Sequence, residues 1–71
     1  MTNAEARARK MIAGLSTKTI VEQFELTETM NDPHIPTVRG WYMDELEKRN
    51  HEAFDEWIDS EEDSPRKFFA A

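Results

Sequence analysis

The chain contains no cysteine among its 71 residues, which excludes disulfides, thiol nucleophiles and every cysteine-based zinc site. Long apolar runs are also missing, since none approaches the ~20 residues that a membrane-spanning helix needs. No stretch resembles a signal peptide, so the expected location is the cytoplasm. There is no glycine-rich loop to cradle a phosphate, no internal repeat, and no apolar–polar alternation of the kind that marks a strand. Positive charge is scarce as well. Nine Lys and Arg stand against fifteen Asp and Glu, a net charge of −6. A protein that binds nucleic acid over its whole surface is expected to be basic, and this one is the opposite.

What is present is helical periodicity. A chain of this length forms one domain, and burying roughly 60% of its unfolded surface leaves it marginal. Well-packed helices, a dimer or a partner would supply the remainder. In "TNAEARARKMIAG", Ala4, Ala8, Met11, Ile12 and Leu15 recur at helical spacing. Thr2 and Glu5 have the separation of a capping box, and Gly14 offers a left-handed stop. Ser16 is a good N-cap for a second helix, with Leu15 and Ile20 spaced as a hydrophobic staple. Ile20, Val21, Phe24 and Met30 would face inward, and Leu26, off the main stripe, suggests a broad buried face or a second contact. Pro33 and Pro36 disfavour helix at the residues before them, which predicts a loop through "NDPHIP".

Thr37 is the expected cap of a third helix, "VRGWYMDELEKRN", with Val38, Trp41, Tyr42, Leu46 and Arg49 along one side. Asp44 with Lys48 and Glu45 with Arg49 are favourable pairs four apart. Gly40 is unfavourable inside a helix and predicts close packing there. Asn50 would cap a fourth helix whose apolar side is Ala53, Phe54, Trp57 and Ile58, closed by Pro65. The expected fold is all-α, a compact bundle of three or four short helices over residues 1–64, with a tail over 65–71. Its predicted core is Met11, Ile12, Ile20, Phe24, Val38, Trp41, Leu46, Phe54, Trp57 and Ile58.

Catalysis finds little support. His34 and His51 are the only histidines and lie far apart in sequence. Asp32 with His34 is too short and isolated to be a metal signature. No nucleophile-elbow context accompanies any serine, and so small a bundle has little volume for a desolvated acid–base cleft. The expectation is a non-enzymatic protein without metal or cofactor. The segment "KMIAGLSTKTIVEQF" echoes a helix-turn-helix through Gly14 and Ile20, with Arg7, Arg9 and Lys10 placed to meet phosphate. Lys10, however, stands where a small residue is usual. The would-be recognition helix also carries Glu22, Glu25 and Glu28, which would oppose entry into a groove lined by phosphates.

The strongest signal is uneven charge. Residues 1–20 carry Arg7, Arg9, Lys10 and Lys18 against Glu5, whereas residues 44–63 carry ten acids against Lys48 and Arg49. Projected on the fourth helix, Glu52, Asp55, Glu56, Asp59, Glu62 and Asp63 form one stripe opposite the apolar side. Like-charge pairs four apart, Glu52 with Glu56 and Asp55 with Asp59, are unfavourable, and acids near a helix C-terminus oppose its dipole. A solvated face that keeps the protein soluble is the plain reading. The alternative is a docking surface for a basic protein patch of the kind that otherwise holds nucleic acid. The spacing allows it, because a helix rises about 1.5 Å per residue and duplex charge recurs about every 1.7 Å. Phe68 and Phe69 in the tail either fold back on the core or anchor a partner or a second copy. Ser64–Pro65 has the form of a proline-directed phosphorylation site, though so short a motif is better accounted for by a turn.

Residues 35–69, "IPTVRGWYMDELEKRNHEAFDEWIDSEEDSPRKFF", resemble small acidic helical proteins of unknown role from bacteriophages and other bacterial mobile elements. The resemblance lies in an arginine and a tryptophan opening a helix, then "DELEKRN", then "EAF" and a tryptophan, then an acidic end. It implies a context of accessory genes that often encode inhibitors of host defence or nucleic-acid machinery, some of them acidic DNA mimics, and it assigns no functional residue. The leading expectation is therefore an acidic binding protein. Its partner-binding residues would be Glu52, Asp55, Glu56, Asp59, Glu62, Asp63, Phe68 and Phe69, and its partner a basic protein. Direct nucleic-acid binding and membrane association are not expected. The alternatives are a small DNA-binding regulator using the first two helices, and an assembly protein that forms a homodimer through its aromatic residues.

Overall fold

The computed structural model describes residues 3–69, all helix, turn and loop with no strand among them. Four helices of ten to fifteen residues and one short helical turn make up the bundle: α1 (Asn3–Ala13), α2 (Thr17–Leu26), α3 (Ile35–Arg49), α4 (His51–Ser60) and α5 (Arg66–Phe69). The all-α bundle predicted from periodicity is what forms. The Thr2 half of the expected capping box lies outside the described residues.

The local caps follow the sequence closely at two starts. Ser16 accepts from the Thr19 amide at 3.1 Å to open α2. Asn50 accepts from the Ala53 amide at 3.1 Å to open α4. Each satisfies an amide that the helix itself leaves without a partner. The start of α3 differs from expectation. The helix begins at Ile35, with His34 rather than Thr37 as its flanking residue and Pro36 inside its first turn. Proline suits that position because the missing N–H has no partner there anyway, so Pro36 begins the helix instead of extending the loop.

The end of α1 is the more instructive departure. Gly14 does not take a left-handed conformation. Its amide and that of Leu15 instead bond back to Met11 and Ile12 in a tightened last turn, both at 3.0 Å. The carbonyls of Ala13 and Leu15 that this leaves are met by Arg49, reaching from the far end of α3 and sharing the Ile12 carbonyl with the Leu15 amide. Its Nη2 donates to the carbonyls of Leu15 at 2.7 Å, Ala13 at 3.1 Å and Ile12 at 3.4 Å. Its Nη1 donates to the Thr17 hydroxyl at 3.1 Å, and its Nε to Glu45 at 2.8 Å. One planar guanidinium thus caps α1, holds the first turn of α2 and pairs within α3. Lysine has no equivalent geometry.

α3 occupies the middle of the bundle, packing against α1, α2 and α4, while α5 lies against α2 and α4. Ile12, Ile20, Val21 and Leu46 form the central cluster, with Leu15, Trp41, Tyr42, Phe54 and Phe69 packed around it. Beside them Phe24 and Trp57 meet edge to face at 5.3 Å, and Phe54 meets Trp57 in the same manner at 5.8 Å. The Arg39 guanidinium lies 4.4 Å from the centre of the Phe24 ring and donates to the Thr27 hydroxyl at 3.2 Å. That hydroxyl donates in turn to the Phe24 carbonyl, so buried Thr27 has its polar atom satisfied.

Several expected core positions fall elsewhere. Met11 is 73% exposed and Ile58 is 46% exposed, so neither belongs to the core, while Val38, Trp41 and Phe54 are half-buried. Ala53 and Trp57 are the buried pair of α4, and Ile58 sits about 100° round from Trp57, at the margin of that face. Met30 and Leu26 are exposed too: Leu26 ends α2 away from the stripe of Ile20, Val21 and Phe24, and the tighter turn that follows (Thr27–Thr29) separates Met30 from that helix. Gly40 is not a site of close packing, since a methyl group there would meet nothing within 4 Å.

Two substitutions test the role of Arg49. Arg49→Ala removes five hydrogen bonds at a partly buried site and is expected to lower stability by about 2 kcal/mol, or roughly 10 °C in thermal midpoint. Arg49→Lys should recover less than half of that loss. By contrast Gly14→Ala is expected to be neutral or to raise stability by up to about 1 kcal/mol, because a Cβ there makes only ordinary contacts. Thermal unfolding followed by circular dichroism measures all three. An unchanged midpoint for Arg49→Ala would contradict the clamp.

Candidate functional site

α4 is fixed by what it buries. Ala53 and Trp57 face inward, and the Trp57 indole N–H donates to the Glu62 carbonyl at 2.8 Å, drawing the chain beyond the helix back against it. The opposite side carries Glu52, Asp55, Glu56 and Asp59, all exposed, and the helix contains no Lys or Arg. Glu52, Glu56 and Asp59 form no ion pair among the described residues. Asp55 has His51 for company. That imidazole lies one turn away, Nδ1 at 3.3 Å from Asp55 and Nε2 at 3.6 Å from Glu47 on the end of α3.

The acidic row is shorter than its sequence projection. α4 ends at Ser60, and Glu61 takes a left-handed conformation, φ 60°, that turns the chain. Ser60 seals the end by donating to the Trp57 carbonyl and accepting from the Glu62 amide. Pro65 does not close α4. It is fully buried, and α5 begins just beyond it. Glu62 and Asp63 therefore stand past the helix, off the stripe, and Glu62 is paired with Lys67 at 3.0 Å. Glu52 to Asp59 is the rigid part, about 10 Å long at the helical rise.

Phe68 and Phe69 are half-buried, and Phe69 packs on the central cluster. Their short helix is tied down by Glu25 of α2. Its carboxylate accepts from Arg66 Nη2 at 2.6 Å, Arg66 Nε at 2.9 Å and the Ser64 hydroxyl at 2.6 Å. The Arg66 hydrogen bond, with that of Ser64 behind it, pulls the Glu25 carboxyl down from 4.5 to about 2. Ser64 also accepts from the Arg66 amide, so its hydroxyl serves as the cap of the turn.

The basic end of the molecule is less free than its sequence suggests. Arg9 donates to Glu5 and to Asp44 of α3, each at 2.9 Å, and these contacts, Asp44 first, raise its pKa further. Asp44 is thereby paired with α1 and not with Lys48, while the expected Glu45–Arg49 pair forms. Among the described residues no group of three or more His, Asp or Glu side chains is placed to hold a metal, and no helix is long and apolar enough to cross a membrane.

The residue missed on this face is Ile58, an exposed aliphatic at the edge of the acids. Taking the Ala53–Trp57 pair as the centre of the buried face would have placed it at the border. The Glu25–Arg66 tie, by contrast, spans 41 residues and has no local signature. Comparison with known proteins finds no matching family, no matching curated protein and no matching solved structure.

The depressed Glu25 pKa fixes a sign. Because its folded value lies below the ordinary carboxylate value, Glu25 stabilises the docked α5 above about pH 4.5, and that contribution is lost as pH falls towards 2. The stability gap between the wild type and Glu25→Gln should therefore be full at pH 6 and close progressively between about pH 4.5 and 2. Denaturant titrations across that range measure it. A gap independent of pH would contradict the assignment.

Proposed function

We propose that this is a non-enzymatic binding protein that presents Glu52, Asp55, Glu56 and Asp59 to a basic patch on a nucleic-acid-binding protein, and so blocks or modulates that partner in the cytoplasm. The observation that carries the reading is the contrast between adjoining helices. α3 answers two of its acids with Arg49 and Arg9, whereas α4 leaves its own carboxylates in solvent with no Lys or Arg on the same helix. Stability does not call for that arrangement, since like charges one turn apart repel.

A rigid row suits this role better than a loose acidic tail. Carboxylates held on a helix lose little freedom on docking, so less of the interaction is offset by ordering. Four carboxylates over about 10 Å correspond to a short span of duplex charge. The partner surface that fits is thus a compact cluster of Lys and Arg and not a long duplex channel. Electrostatic steering would make association fast and sensitive to salt. An inhibitor or DNA mimic is the form such a function would take. The DNA-binding alternative is weakened by Arg9, which is engaged with two carboxylates, and by the absence of the left-handed glycine turn.

Affinity capture from a host lysate, with identification of the bound protein, tests the proposal. The wild type is expected to retain a basic nucleic-acid-binding protein at low salt and release it at high salt. The triple variant Asp55→Lys, Glu56→Lys, Asp59→Lys should keep its helical circular dichroism and lose the partner. Undiminished capture by that variant would overturn the reading.

A further inference from the structure

A groove of about 290 Å³ runs between α1 and α3, on surface that the acidic row does not use. Ile12, Ala13 and Trp41 give it an apolar lining, with Lys10 on one wall and Lys48 on the other. Its two carboxylates are already answered: Asp44 by Arg9 at 2.9 Å and Glu45 by Arg49 at 2.8 Å. Lys10 and Lys48 are exposed and form no ion pair among the described residues. The groove therefore offers an apolar lining between two uncommitted cations.

The complement of that surface is on the same chain. α4 carries exposed Asp55 and Asp59 on adjacent turns, with Ile58, 46% exposed, beside them. We propose that the α1–α3 groove receives the α4 face of a second copy. Ile58 would enter against Trp41, with Asp55 and Asp59 meeting Lys10 and Lys48. Each copy would then have one groove filled and one α4 face given, a head-to-tail contact between unlike surfaces. Such contacts do not end at a dimer unless the rotation happens to close a ring. The net charge of −6 opposes association at long range, but screening at ordinary ionic strength confines that repulsion to about 8–10 Å and leaves the local contacts favourable. The inference does not depend on a foreign partner, although such a partner and a second copy would compete for α4.

Sedimentation of the full chain tests it, with charge-reversed variants that interrupt opposite halves of one contact. Lys10→Glu with Lys48→Glu spoils the groove and keeps the α4 face. Asp55→Lys with Asp59→Lys spoils the face and keeps the groove. The wild type at millimolar concentration and ordinary ionic strength should show an average mass that climbs past the dimer and falls when salt is raised roughly tenfold. Each variant alone should stay monomeric with unchanged helical circular dichroism. An equimolar mixture of the two should regain association past the dimer, since the intact face of one meets the intact groove of the other and the two reversed surfaces are again opposite in charge. The groove variant should still capture the basic partner, which separates this contact from partner binding. A wild type that is monomeric under these conditions, or variants that associate as it does, would overturn the proposal. So would a monomer whose Trp41 indole resonance shifts only with a foreign acidic peptide.

Discussion

The guanidinium of Arg49 joins three helices at one point. It takes up the carbonyls of Ile12, Ala13 and Leu15 where α1 ends, the Thr17 hydroxyl where α2 begins, and Glu45 one turn back on its own helix. A helix end leaves carbonyls without intrahelical partners, and burying them unanswered is costly. Here the answer comes from 34 to 37 residues away. The turn between α1 and α2 is thereby built into the tertiary structure. It does not need a left-handed glycine, and it holds Ile12 and Ile20 in register with Leu46.

From that joint the remaining architecture follows by packing. α3 lies in the middle because its end is fastened to the α1–α2 turn, and three helices then share its sides. This is why only Leu46 of α3 is fully buried while Trp41, Tyr42 and Met43 are each partly covered. α4 is added on the other side of Asn50 and steadied by the Trp57 contacts with Phe24 and Phe54. Glu25 then fastens α5 across α2 through Arg66. Each long-range fastening is a charged group satisfied by several hydrogen bonds, which is what makes a partly buried ion pair favourable. The acids of α4 play no part in any of these fastenings, apart from the contact between Asp55 and His51. Their charge is left facing outward on a helix that the rest of the molecule holds still.

What could be read from the sequence was what is decided within a turn or two of chain. The caps at Ser16 and Asn50, the Glu45–Arg49 pair and the Ala53–Trp57 buried pair all act over three or four residues, and periodicity reveals them. Pro36 misled because the same residue both ends and begins helices, and only the surrounding fold determines which. Met11 and Ile58 misled because an apolar side chain at the border of a stripe is buried only if a neighbour reaches it. The acidic face was legible in composition, but its length was not. The left-handed turn at Glu61 brings the Glu62 carbonyl back to the Trp57 indole, a contact with no sequence motif. The groove between α1 and α3 and the Glu25–Arg66 tie arise only when distant segments meet.

Native-state amide hydrogen exchange on the wild-type protein tests the organising role of Arg49 most directly. If the clamp welds the end of α1 to α2 and α3, the amides of Ile12, Ile20 and Leu46 should open together, with the same free energy and the same dependence on denaturant. Exchange at Ile12 through a separate, low-energy opening of α1, with Ile20 and Leu46 still protected, would contradict it.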